Sequence, residues 1–251
     1  QEHDACGIVS CIEKKRIPTR DNIFTCIDAL VTMNHRAGFI NGEGDGVGIH
    51  IDIPRELWKK KLQDKDVDAN LADSKQFVVG HFFLNQKENS SKLQAEIKEK
   101  LLQAGLTILF ENDKTYNSSA LGPIAIQENP IFWQIACISN NLTNQDLSNI
   151  LFTLTHTIEE NDNIHVASLS QYHSVYKVMG AGDILPKYYT DLADPLVAST
   201  MTLGHNRFLI NTLSSFFRVQ PFSVLGHNVE INTISKLRDQ AKMIRVPLLK
   251  D

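Results

Sequence analysis

The chain has 251 residues and a net charge of −4, with 42% hydrophobic and 22% charged residues. That balance fits one ordinary globular domain, long enough to bury a core. It argues against a nucleic-acid binder, because its lysines and arginines are scattered or form short solvated runs such as Lys14-Lys15-Arg16 and Lys59-Lys60-Lys61. No apolar run approaches a membrane span, and no stretch before Cys6 reads as a signal peptide. The cysteines (Cys6, Cys11, Cys26 and Cys137) show no CxxC spacing, so reduced thiols and a cytoplasmic location are expected.

Gly7 to Ile12 reads as a first strand, with Cys6 at its head. In a strand, Cys6 and Cys11 point to opposite faces. Asp21 and Asn22 are candidate caps for a helix that carries Ile23, Ile27, Leu30 and Val31 on one face. Alternating glycines from Gly38 to Gly48 precede a strand, Val47 to Ile53. A phosphate cradle should follow a strand and open a helix, so a tight loop with close backbone approach is the better reading. Pro54 opens a short helix through Trp58 and Leu62.

Phe77 to Leu84 is apolar on both alternating faces, as in a strand covered on both sides. Ser91 with Gln94 resembles a capping box for a helix ending at Gly105, and Leu106 to Phe110 follows as a short strand. Leu121-Gly122-Pro123 starts a loop, and Ile131 to Ser139 is another strand. Thr143 or Asn144 caps a helix bearing Leu147, Ile150, Leu151, Leu154 and Ile158 on one side. Strands are expected at Val166 to Ser170, Ser174 to Val178, Met201 to Leu209 and Phe222 to Leu225. Leu185 to Pro195 reads as a Pro- and Tyr-rich excursion, and Ile234 to Met243 as a helix. Elements that come in pairs and runs predict an α+β domain with mostly antiparallel sheets and helices layered outside.

Cys6 alone fits a buried hydrophobe as well as a nucleophile. As the first residue of a processed chain it would carry its own base, because an α-amine has a reference pKa of about 7.7–8.0. Two late segments are unusually polar: Gly204-His205-Asn206-Arg207 and Gly226-His227-Asn228-Val229-Glu230. Arg207 can fork onto a carboxylate, and the Asn228 amide can donate to an oxyanion. Taken alone, each fits a structural ion pair or a turn cap; with Cys6 they supply nucleophile, clamp and oxyanion donor for acyl transfer. His50 and Asp52 share a strand face without a third ligand, and His156, His165 and His173 read as ordinary surface or core histidines, so no metal is expected.

The ordered series Glu2-His3-Asp4-Ala5-Cys6-Gly7-Ile8, Met33-Asn34-His35-Arg36, Gly44-Asp45-Gly46-Val47-Gly48-Ile49, Leu121-Gly122-Pro123, Val166 to Ser170, Val175-Tyr176-Lys177, Tyr188-Tyr189, Asp194-Pro195, His205-Asn206-Arg207-Phe208, Pro221-Phe222 and His227-Asn228-x-Glu230-Ile231-Asn232-Thr233 resembles the class II glutamine amidotransferase domain of glutamate synthase. The resemblance runs along nearly the whole chain. It implies an Ntn-hydrolase fold, a four-layer αββα sandwich, as a single domain over 1–251 with residues 1–5 as a leader before the nucleophile. It implies hydrolysis of the glutamine side-chain amide by Cys6, with Asn228 and the N–H of Val229 as oxyanion hole. Arg207 would hold the substrate α-carboxylate, with Arg36, His205, Asn211 and Thr212 completing the binding set. Ammonia would pass to a synthase domain or subunit, and no cofactor is expected in this chain.

The family's oxyanion glycine is replaced by Val229, and Leu209-Ile210 stands where the family has small hydroxylic residues. Leu109-Phe110-Glu111-Asn112 replaces a loop that helps cover the pocket, and the aspartate that binds the substrate α-amine lies beyond the matched stretch. Two alternatives to the glutaminase remain open at this level. One is a catalytically impaired relative with a binding, regulatory or scaffolding role. The other is an Ntn hydrolase acting on a less polar linear amide.

Overall fold

The computed structural model describes residues 6–207, 215–223 and 243. β1 (Gly7–Ile12) opens the first sheet, and α1 (Arg20–Thr32) crosses behind it. Thr19, not Asp21 or Asn22, caps α1: its extended backbone lets Oγ1 accept from the Asn22 N–H at 3.1 Å. Asn22 has another task, since its Oδ1 accepts from the Thr202 hydroxyl at 2.7 Å inside the core. Ile23, Cys26, Ile27 and Leu30 form the buried stripe of α1. They pack against Gly204, where a Cβ would lie 2.6 Å from Cys26 Sγ.

A short hairpin of β2 (Phe39–Ile40) and β3 (Glu43–Gly44) leads into β4 (Val47–Asp52) and α2 (Arg55–Gln63). β5 (Phe77–Leu84) is buried at every position, which explains its lack of polar alternation. α3 (Ser90–Gln103) starts two residues earlier than a Ser91 cap would place it. Asn89 Oδ1 accepts from the Lys92 N–H, so the Ser91–Gln94 spacing lies inside the helix. Gly105 follows with φ of +82°, a left-handed stop.

β6 (Leu106–Asn112) runs longer than expected: Leu109 lies at a register shift and Phe110 to Asn112 pair with the next strand, so this stretch is strand and not a covering loop. α4 (Ala125–Glu128), β7 (Ile131–Ser139) and α5 (Asn144–Ile158) follow, with Thr143 as the α5 cap. β8 (Ile164–Ser170) and β9 (His173–Val178) come next. The stretch read as an irregular excursion contains α6 (Leu185–Tyr188) and α7 (Thr190–Ala193). Both are core elements: Tyr188, Tyr189 and Leu192 are fully buried. Four-residue helices lack the length for a periodic signal, which is why the pattern hid them. β10 (Met201–Asn206) ends the described strands. Phe222 and Ser223 are irregular, with the Ser223 hydroxyl donating to Ala167 O, so no strand starts there; the rest of that expected strand lies outside the described residues. Of the expected Ile234 to Met243 helix only Met243 is described, and it is helical.

Two four-stranded antiparallel sheets result, ordered β1-β10-β4-β9 and β6-β7-β5-β8. α1 lies against β1 and β10, while α3 and α5 cover the second sheet at β6 and β8. One apolar cluster joins α1, the first sheet and Phe83, Phe132 and Ala167 of the second; another joins the second sheet to α3 and α5. This is the α+β layering expected from the pattern of elements.

Polar groups also tie the layers together. Lys61 Nζ pairs with Asp191 Oδ1 at 2.6 Å and donates to Gln134 Oε1 at 2.9 Å. Asp191 Oδ2 accepts from Gln134 Nε2 at 2.7 Å and from the Tyr176 hydroxyl at 2.9 Å. The nearby Lys61 holds the Asp191 carboxyl below its usual range despite burial. The network links α2, β7, β9 and α7, with nearly every donor matched to an acceptor.

Candidate active site

The site begins with strand register. β1 pairs antiparallel with β10, with Gly7 opposite Asn206 and Ile8 opposite His205. Extending that register by one residue sets Cys6 across from Arg207. Both are largely buried, Cys6 at 7% and Arg207 at 8% exposure. The Arg207 backbone is held on both sides by the glycine-rich loop. Its N–H donates to Gly46 O at 2.8 Å, and its carbonyl accepts from the Gly38 N–H at 2.9 Å. Asn206 turns the other way, its Nδ2 donating to Leu30 O of α1 at 2.7 Å.

The glycines permit this wrapping. A Cβ on Gly44 would lie 2.7 Å from the Gly180 and Ala181 backbone, and one on Gly48 would collide with Gln220 O. Gly46 has φ of +152°, open to glycine and strained for others. The loop is therefore a close-approach device, as its spacing predicted. Glu43 anchors it by accepting the Ile124 and Ala125 N–H groups at 2.8 Å each, an acidic side chain at the start of α4 that no motif singled out.

The other thiols are poorly suited to nucleophilic work. Burial pushes Cys137 up to about 12 and Cys26 higher still. Cys11 is half-buried and interacts with Cys26.

Arg36 lies in a 3-10 turn, Asn34–Arg36, and is exposed. Gly38, two residues on, donates its N–H to the Arg207 carbonyl, so the turn leads directly to Arg207. His205 is fully buried in β10, opposite Gly48 of β4. Asn211, Thr212, Asn228 and Val229, and the leader at 1–5, lie outside the described residues.

Sequence reasoning gave Lys177 no role. Lys177 is opposite Gly48, so Ile8, His205, Gly48 and Lys177 form one row across the sheet on one face. Its Nζ donates to His165 Nε2 at 2.7 Å and to Phe217 O at 3.1 Å, and sits 5.0 Å from the Phe222 ring centre. His165 Nδ1 faces Glu159 Oε1 at 2.6 Å. His165 is thus an interior histidine that links Lys177 to Glu159. Its partners assign the proton to Nδ1, and burial lowers its pKa to about 4. Burial likewise lowers Lys177 to about 7, with Glu159 opposing and Arg207 adding to the shift. A lysine inside the otherwise apolar run Val175 to Val178 was the available signal.

His50 stacks on His173 with ring centres 4.3 Å apart, and Asp52 accepts from the Thr200 N–H at 2.6 Å. Among the described residues no three metal-ligating side chains converge, and no helix is long and apolar enough to cross a membrane.

The model of the family glutamine amidotransferases class-II matches residues 6–246. Among curated relatives, the chain is 30% identical over 243 residues to the large chain of glutamate synthase [NADPH] of Bacillus subtilis, covering 93% of this chain and 16% of that protein. It is 31% identical over 247 residues to the chloroplastic ferredoxin-dependent glutamate synthase of Oryza sativa, covering 93% and 15%. It is 29% identical over 253 residues to glutamate synthase [NADH] of Saccharomyces cerevisiae, covering 93% and 12%. This chain therefore spans less than a fifth of the length of each of these relatives. With its first matched residue at Cys6, the head of β1, the chain belongs to the class II glutamine amidotransferases.

Proposed function

We propose that this chain hydrolyses the side-chain amide of glutamine to glutamate and ammonia. The observation that carries the reading is the β1–β10 register, which sets Cys6 across from Arg207 on one sheet face. A free substrate amino acid carries a carboxylate that Arg207 can grip with two parallel hydrogen bonds. That grip places the γ-amide toward Cys6, and fixed geometry of this kind is worth much of a catalytic barrier.

The chemistry balances with residues of this chain. Removal of residues 1–5 frees the Cys6 α-amine, which accepts the thiol proton as sulfur attacks the amide carbon. Asn228 and the N–H of residue 229 stabilise the oxyanion. The protonated amine gives its proton to the leaving nitrogen, releasing ammonia and leaving a γ-glutamyl thioester. Water, deprotonated by the same amine, hydrolyses the thioester to glutamate. Arg36, His205, Asn211 and Thr212 complete the substrate-binding set, with His205 fully buried in β10. We assign residues 1–251 to one amidotransferase domain with the four-layer Ntn arrangement, cytoplasmic and without its own cofactor. It delivers ammonia to a synthase portion of the same polypeptide or of a partner.

The test is glutaminase assay on protein whose N-terminus is verified by intact mass. Ammonia and glutamate form in equal amounts, and Cys6→Ala abolishes both. A protein starting at Cys6 that releases no ammonia overturns the reading. Val229 favours one second reading, a catalytically impaired relative that binds or scaffolds, because a β-branched side chain crowds an oxyanion site. Activity appearing only in Val229→Gly selects it.

A further inference from the structure

We propose that Glu159, His165 and Lys177 form a proton-holding chain behind Arg207, and that Lys177 is a positioning residue whose charge follows whether a carboxylate occupies the Arg207 clamp. The inference rests on the placement of the glutamine α-carboxylate at Arg207 proposed above. Its geometry is independent of that reading.

Glu159 accepts from His165 Nδ1 at 2.6 Å, and His165 Nε2 accepts from Lys177 Nζ at 2.7 Å. Glu159 also accepts from the Val166 N–H at 2.9 Å, which fixes the far end of the chain. His165 is clamped between the rings of Phe83 and Phe217, with centres 6.3 and 5.0 Å away. Lys177 is 1% exposed, and among the described residues its ammonium also meets Phe217 O and the Phe222 ring. A fully buried lysine is costly to charge, and here it shares a sheet face with a second cation, Arg207. Arg207 lowers its proton affinity, and Glu159 raises it. Among the described residues, the other titratable groups on this sheet face are His205 of β10, His50 of β4 and His173 of its own strand, and Arg218 follows Phe217 in sequence. Burial disfavours charge on His50 and His173, and among the described residues Glu159 and Arg207 are the charges that shift Lys177.

A carboxylate arriving at Arg207 screens that cation and adds a negative charge. Lys177 then takes up a proton while His165 and Glu159 hold its place. The uptake is reciprocal: a carboxylate that raises the Lys177 midpoint by one pH unit binds about tenfold more weakly above the midpoint than below it.

The test follows the lysine directly in the full-length protein. The Lys177 ε-carbon is read by NMR with labelled lysine and assigned by loss of its signal in Lys177→Arg. The expected result is a titration near pH 7 that moves up in Arg207→Gln and down in Glu159→Gln. In a Cys6→Ala background, L-glutamine binding is then measured by calorimetry in buffers of different ionisation enthalpy. Proton uptake near pH 7 and an affinity that falls between pH 6 and 8 are expected, and both vanish in Lys177→Met. A Lys177 midpoint unmoved by Arg207→Gln, or proton uptake that survives in folded Lys177→Met, overturns the proposal. A midpoint that moves while glutamine fails to bind supports the coupling and defeats the glutaminase reading instead.

Discussion

Cys6 and Arg207 stand at facing ends of two hydrogen-bonded strands, one residue beyond the Gly7–Asn206 pair. The proposed nucleophile and carboxylate clamp are therefore held by backbone register. Removing the clamp should act mainly on binding. Arg207→Ala is expected to raise KM for glutamine by two to three orders of magnitude, as about 2–5 kcal/mol is typical for truncating a buried charged partner. Arg207→Lys should fall between, because an ammonium keeps the charge and loses the fork. Steady-state kinetics check this: a kcat that collapses while KM holds would place Arg207 in the chemical step instead.

Gly48 sits where three packing demands meet. A Cβ there would collide with Gln220 O and lie 2.8 Å from the Lys177 Cβ and 3.0 Å from Pro221 Cδ. Backbone on one side and a strand neighbour on the other leave nowhere to move. Gly48→Ala should destabilise the domain by about 1–3 kcal/mol, the usual cost of overpacking. Urea unfolding followed by circular dichroism measures it, and a neutral result would mean that the 215–223 segment can lift off β4.

Much of this architecture was legible. Long apolar strands such as Val47 to Ile53 and Phe77 to Leu84, and the amphipathic helix after Thr143, carry periods that survive any packing detail. Caps were less legible, because Asn22 satisfied every local rule for a cap yet serves Thr202 across the core. The strand expected to end at Phe110 runs on to Asn112, past a register shift between Ile108 and Phe110 that breaks strand alternation there. At the site, Cys6 and Arg207 were visible as residue types, but the pairing of β1 with β10 spans almost the whole chain and leaves no local trace. Lys177 stayed hidden for the same reason, since its partners Glu159, His165 and Phe217 come from three separate segments.

The Lys61–Asp191 pair predicts an asymmetric response to mutation. Asp191→Ala strands Lys61, Gln134 Nε2 and the Tyr176 hydroxyl inside the core. Breaking one half of a buried pair typically costs about 3–5 kcal/mol. Replacing both, as in Lys61→Met with Asp191→Leu, should cost clearly less than the two single changes summed, because neither charge is then left alone. A double-mutant cycle in denaturant reads the coupling, and additive losses would show that the two side chains do not depend on each other.

Acid should weaken the fold well before its carboxylates titrate. Burial holds His81 and His165 at about 4 and His173 at about 3, against an unfolded value of about 6.5. For His81 the reason is visible: Nδ1–H donates to Val175 O at 2.9 Å, while Nε2 accepts from Gln134 Nε2 at 3.0 Å. A second proton would set donor against donor. Because the folded pKa values are depressed, the unfolded chain binds more protons between about pH 6.5 and 4, so stability is full above that window and falls as pH drops through it. For His81 alone the loss by pH 4 is on the order of 3 kcal/mol. Urea midpoints should fall steeply from pH 7 to pH 4.5. His81→Asn keeps a donor for Val175 O and cannot charge, so it should be less stable at pH 7 yet show a shallower acid slope. An unchanged slope in that variant would assign the acid sensitivity to the other buried histidines.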